Sequence, residues 1–111
     1  MSGRQIPGNV QQALKELQDY LAQIYGERLR GIYLYGSYAR GDFHSDSDVD
    51  ILIVLEGMVK PSQEIDRIGD GVADICLEHN VLIGTFPVPE EWLLSRKSPL
   101  FENVRLEGIR L

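Results

Sequence analysis

Six of the seven residues in Val49-Asp50-Ile51-Leu52-Ile53-Val54-Leu55 are large and apolar, and Glu56-Gly57 closes the run. Strand residues alternate between two faces, so a run apolar on both must be covered on both and belongs in the middle of a sheet. Gly31-Ile32-Tyr33-Leu34-Tyr35, β-branched and aromatic and closed by Gly36, is expected to be a second central strand. Asp50 breaks the pattern. An unpaired carboxylate inside such a strand costs several kcal/mol, so its presence asks for a ligand.

Helical spacing surrounds these strands. From Asn9 as cap to Gly26 as stop, Val10, Ala13, Leu14, Leu17, Leu21 and Ile24 recur at three- and four-residue steps. Pro61 and Ser62 open a second helix in which Ile65, Ile68, Val72, Ile75 and Cys76 keep the step. Within it Gly69 and Gly71 each cost about 1 kcal/mol relative to alanine. Val81-Leu82-Ile83-Gly84-Thr85-Phe86 is expected to be a third strand, ended by Pro87 and Pro89, which cannot donate to a sheet ladder. Glu90 to Leu111 predict a short helix around Trp92, another after Pro99, and a frayed end. No repeat or low-complexity linker interrupts this α-β-β-α-β order.

The chain has 111 residues, 43% of them apolar, enough for one domain with one core: a core of about residues 10–88 and a helical extension over 89–111. Eleven basic against seventeen acidic residues give a net charge of −6, which disfavours tight, metal-free nucleic-acid binding. The single cysteine, Cys76, forms no internal disulfide and suggests a reducing compartment, so a cytoplasmic location is expected. Met1 to Pro7 lack the apolar stretch of a signal peptide, and no apolar run approaches the roughly 18 residues of a membrane span.

Gly36-Ser37 and Asp48-Val49-Asp50 stand ten residues apart, at the end of one strand and the start of the next. Asp48 and Asp50 fall on the same strand face, about 7 Å apart. There they repel by roughly 2 kcal/mol at an effective dielectric of about 20, a cost that a divalent cation turns into a gain. Magnesium prefers carboxylate and phosphate oxygens and keeps several waters, which suits two aspartates and a triphosphate. Gly36 lets the backbone approach a phosphate, the Ser37 hydroxyl can donate to it, and Arg40 adds positive charge. Asp46-Ser47-Asp48 also fits ordinary turn chemistry, but that reading leaves Asp50 unexplained.

With Ala39-Arg40-Gly41 and Ser47 in place, this fifteen-residue pattern resembles the signature of the DNA polymerase beta-like nucleotidyltransferase superfamily. The short length is similar to that of the minimal nucleotidyltransferases, often antitoxins beside a helical HEPN toxin, and the resemblance covers most of residues 10–88. It implies an α/β (α+β) fold with a small mixed sheet flanked by helices. It further implies magnesium on Asp48 and Asp50, two ions with nucleotide bound, and the triphosphate of ATP held at Gly36 and Ser37. In that family AMP commonly passes to an acceptor hydroxyl with release of pyrophosphate; for the antitoxin members the acceptor is a tyrosine of the toxin.

The family usually carries a third carboxylate on the strand after the helix, where here His79-Asn80-Val81-Leu82-Ile83-Gly84 has none. Asn80 is the candidate for that place, though its amide is a very poor base, and Glu78 is the nearest acid. Asp66, Asp70, Asp74 and Glu78 form a four-residue stripe that reads as a solvated helix face. His44 reads as a loop residue, His79 as a helix-end residue, and Trp92 and Phe101 as apolar anchors. Ser37 has no neighbouring histidine or lysine spaced to make it a covalent nucleophile. Two functions stay open: a transferase modifying a protein partner, and a nucleotide-binding antitoxin that neutralises its partner by masking. A small-molecule nucleotidyltransferase would need an acceptor-binding half, which a homo-oligomer could supply.

Overall fold

The computed structural model of the protein describes residues 5–111; residues 1–4, on which the reading of the Met1 to Pro7 stretch partly falls, lie outside the described residues. Helix α1 spans Gly8–Tyr25 and buries Val10, Ala13, Leu14, Leu17 and Leu21 on the stripe the spacing predicted. It starts earlier than expected. Gln11 N–H already bonds to Pro7 O at 3.0 Å, so Pro7 takes the capping position. Asn9 lies inside the first turn, and its Nδ2 donates to His79 O at 3.0 Å instead. Gly26 ends the helix with φ +53, followed by one 3-10 turn through Arg28.

Strands β1 (Leu29–Tyr35), β2 (Val49–Leu55), β3 (Ile83–Pro89) and β4 (Ile109–Arg110) form one mixed sheet in the order β3-β2-β1-β4. β1 runs antiparallel to β2 and β4, while β2 and β3 are parallel. The apolar run of β2 is thus central, and it feeds two cores. Val49, Ile51, Ile53 and Leu55 turn toward α1 and helix α3 (Pro61–His79). Leu52 and Val54 turn the other way, to Val88, Leu93, Phe101 and Val104. The latter three belong to helices α4 (Glu90–Ser95) and α5 (Pro99–Glu107). Asp50 shares the second face by alternation. No helix among the described residues is long and apolar enough to cross a membrane.

Three expectations change. The third strand runs to Pro89 rather than stopping at Phe86, because β3 is an edge strand, where proline's missing N–H can face away from the ladder. The carboxyl end is not frayed: Ile109 and Arg110 pair with Leu34 and Tyr33, and Leu111 N–H donates to Ile32 O at 2.9 Å. In α3, Ile65 is 40% exposed and Glu64 only 6%. Gly71 has a packing reason, since a Cβ there would collide with the Tyr20 ring.

Glu64 is buried because it is paired: Tyr25 Oη donates to it at 2.7 Å and Arg67 Nε at 2.9 Å. Burial pushes its carboxyl up, but those hydrogen bonds and the positive charges of Arg67 and Arg28 outweigh it and hold it below its usual range. Burial, and then Glu64, push the Tyr25 phenol well above its own. A lowered carboxyl stabilises the fold above its unfolded pKa and loses that contribution as pH falls through its folded value. Glu64→Gln is therefore expected to cost about 2 kcal/mol at neutral pH in urea unfolding. The deficit should shrink below about pH 4.

Candidate active site

β1 ends at Tyr35, and the chain turns at Gly36 with φ +74 and ψ −151, a region only glycine enters readily. Space demands glycine as well: a Cβ at Gly36 would collide with Asp50 Oδ2. The hairpin register explains the meeting. Tyr35 is the Cα partner of Asp50, so the residue after Tyr35 lies against the Asp50 side chain. Ser37 begins the short helix α2 (Ser37–Arg40), which Gly41 ends with φ +81. Tyr38, buried, anchors that helix by stacking on Phe43 with ring centroids 4.2 Å apart.

The loop before β2 makes its own turn. His44 N–H donates to Ser47 Oγ at 2.9 Å, Ser47 N–H to His44 O at 3.0 Å, and Asp46 N–H to His44 Nδ1 at 3.3 Å. His44 and Ser47 therefore carry the turn chemistry, which leaves Asp48 and Asp50 outside it. Asp48 is exposed and Asp50 half-buried. Neither carboxylate has a hydrogen-bond or salt-bridge partner among the described residues. Burial, and then the charge of Asp48, push the Asp50 carboxyl above its usual range, while Arg40 pulls it back. Burial and then Asp50 also raise the Tyr35 phenol. Two unpaired, accessible carboxylates that repel one another are hard oxygen donors of the kind magnesium takes.

Arg40 is close enough to act on Asp50 but is engaged elsewhere, by Asp42 at 3.1 Å and Glu107 of α5 at 3.7 Å. The two candidates for a third acid stand at the carboxyl end of α3. Glu78 is exposed in the last turn of α3, 3.8 Å from His79, which itself pairs with Glu16. Asn80 caps α3 in a left-handed conformation with φ +54. It lines a cleft of about 820 Å³ together with Tyr38, His44 and Val49, a cleft that neither Asp48 nor Asp50 lines.

The β3 residue paired with Asp50 is Gly84, where a Cβ would stand 3.9 Å from Asp50 Oδ1. Tyr35, Gly84 and Glu107 thus border the site without having been read from the sequence. A glycine inside a strand run was the available signal for Gly84, since it marks close approach of something to the backbone.

The nucleotidyltransferase domain family model matches residues 14–91. A Methanocaldococcus jannaschii protein, provisionally named a protein adenylyltransferase, is 39% identical over 101 residues, 90% of this chain and 95% of its own. A second from the same organism, with the same provisional name, is 36% identical over 72 residues, 63% and 70% of the two chains. Among solved structures, a toxin-antitoxin with AMP-PNP superposes with a TM-score of 0.60 at 22% identity, over 88% of this chain and 70% of that one. A provisionally named minimal nucleotidyltransferase superposes with a TM-score of 0.58 at 26% identity, over 98% and 100%. With the family model covering most of its length, and with the 39% identical relative spanned almost end to end, the chain belongs to the nucleotidyltransferase family, in its minimal form.

Proposed function

We propose that this chain transfers AMP from ATP to a hydroxyl of a protein partner, a helical HEPN-type toxin for which it serves as antitoxin. The observation that carries the reading is the unpaired Asp48 and Asp50 carboxylates, with Asp50 set directly against Gly36. Asp48 and Asp50 would hold magnesium, which when bound neutralises triphosphate charge and lowers the pKa of an attacking hydroxyl. Gly36 and Ser37 would seat the phosphates, and Arg40 would join them on leaving Asp42 and Glu107. The acceptor oxygen bonds to the α-phosphorus as the bond to the β-phosphate oxygen breaks, and pyrophosphate departs with that electron pair. The hydroxyl proton passes to water, because Gly84 offers no base opposite Asp50. The names of the M. jannaschii relatives and the AMP-PNP in the toxin-antitoxin structure support the nucleotide and the partner.

Gly84 also favours a second reading, in which the chain binds nucleotide and masks its partner while transferring slowly. One experiment separates the two. The chain, magnesium, α-labelled ATP and the small helical protein encoded beside it are incubated, and mass spectrometry locates the label. Stoichiometric AMP on the partner is expected for the transferase. A partner neutralised but unlabelled, with labelling appearing only in Gly84→Asp, would establish masking instead.

A further inference from the structure

β3 is the outermost strand beside Asp50, and its free side is not uniform. Val49 pairs with Ile83 and its N–H donates to Leu82 O at 2.8 Å, which sets the phase of the ladder. Bonded groups in a parallel pair come from alternate residues of the strand. The even-numbered residues of β3 therefore turn their backbone groups to β2, and the odd-numbered ones turn theirs outward. Ile83 and Thr85 present N–H donors there. Pro87 and Pro89 have none, so the edge can accept another strand only over its first half. The outward groups of Ile83 and Thr85 have no backbone partner among the described residues. Between them is Gly84, exposed and paired with Asp50.

We propose that this half of the β3 edge docks an extended segment of the acceptor polypeptide as an added strand, with a tyrosine beside Gly84 reaching across it to Asp50. The proposal rests on the transferase reading for its acceptor but on the sheet edge for its geometry. The added strand would lie two strand spacings from β2, roughly 10 Å. A serine or threonine side chain covers only a small part of that distance; a tyrosine covers most of it, and the Asp50 side chain with a bound ion would close the rest. Gly84 keeps the line open, because it carries no side chain, and a Cβ there would already stand 3.9 Å from Asp50 Oδ1. Backbone bonds at Ile83 and Thr85 would supply affinity without demanding a particular sequence. The chain's net charge of −6, with Asp42, Asp46 and Asp48 exposed around the site, selects a segment carrying lysine or arginine. A second copy of this chain would bring the same negative charge and the same prolines to the edge, so it is the poorer occupant.

The test uses a short synthetic peptide alternating valine and lysine around one central tyrosine, and a twin N-methylated on alternate amides. Amide hydrogen exchange of the full chain with magnesium and ATP should show protection at Ile83 and Thr85 on adding the peptide, and none with its twin. Thr85→Pro removes one outward donor, as Pro87 and Pro89 already do, and should lower AMP labelling of the peptide tyrosine about tenfold. Thr85→Val, which keeps the N–H, should stay within about twofold. Unchanged binding of magnesium-ATP by both variants checks that the fold and the nucleotide site are intact. Protection without labelling would uphold the docking edge and sink the transferase reading. Labelling without protection, or labelling that ignores Thr85→Pro, would overturn the docking edge. So would the absence of both signals, or protection that needs no peptide and grows with protein concentration, which would assign the edge to a second copy.

Discussion

Asp50→Asn is expected to lower AMP transfer by about a hundred- to a thousandfold, the scale on which removal of a preorganised charge-stabilising group acts. The same substitution should make the fold more stable. The Asp50 carboxyl is raised, first by burial and then by Asp48, so the folded state prefers it protonated. A group raised in this way contributes its full stability below its unfolded pKa and loses it as pH climbs through the folded value. At neutral pH the ionised side chain therefore weighs against folding, and a neutral amide of the same size removes that weight. Thermal unfolding at pH 7 should show a higher midpoint for Asp50→Asn than for the parent, with the two converging below about pH 4. Magnesium should raise the midpoint of the parent and leave the variant nearly unchanged. A variant less stable than its parent at pH 7, or one that still transfers at the parental rate, would contradict the assignment.

Gly36→Ala should cost both stability and transfer. The backbone at φ +74 and ψ −151 costs a side-chain-bearing residue about 1–3 kcal/mol. The new Cβ would also collide with Asp50 Oδ2, so either the turn or the carboxylate must move. A shift of about 1 Å at a reacting group is enough for roughly a hundredfold loss of rate. Gly57→Ala is the control, because Gly57 has φ +83 but open space around its Cβ position. It should lose stability in urea unfolding and keep its transfer rate. If Gly36→Ala lost no more activity than Gly57→Ala, the contact with Asp50 would have no functional weight.

The central strands and the two long helices could be read directly, because Val49–Leu55 and the α1 stripe carry strong periodic signals. Asp50 was equally legible as the polar exception in an apolar strand, and it lies half-buried in β2. What could not be read depends on neighbours far away in the chain. Glu64 is inside because Tyr25, 39 residues earlier, donates to it; helical spacing alone favoured Ile65. The extent of β3 depends on its being an edge strand, which only the sheet order decides. Asn80 was the candidate for the third acid on sequence order, but the parallel register puts Gly84 opposite Asp50. Arg40 was read as a candidate for the phosphates, and its contact with Glu107 comes from the last turn of α5.

The connection between β1 and β2 is also the loop that holds the site, and Tyr35 and Asp50 are partners across it. The two innermost strands cannot zip together without carrying Gly36 up against Asp50. Under the proposed function, ordering of the candidate binding residues would be completed in the act of folding, and an incoming nucleotide would meet groups whose conformational freedom has already been surrendered.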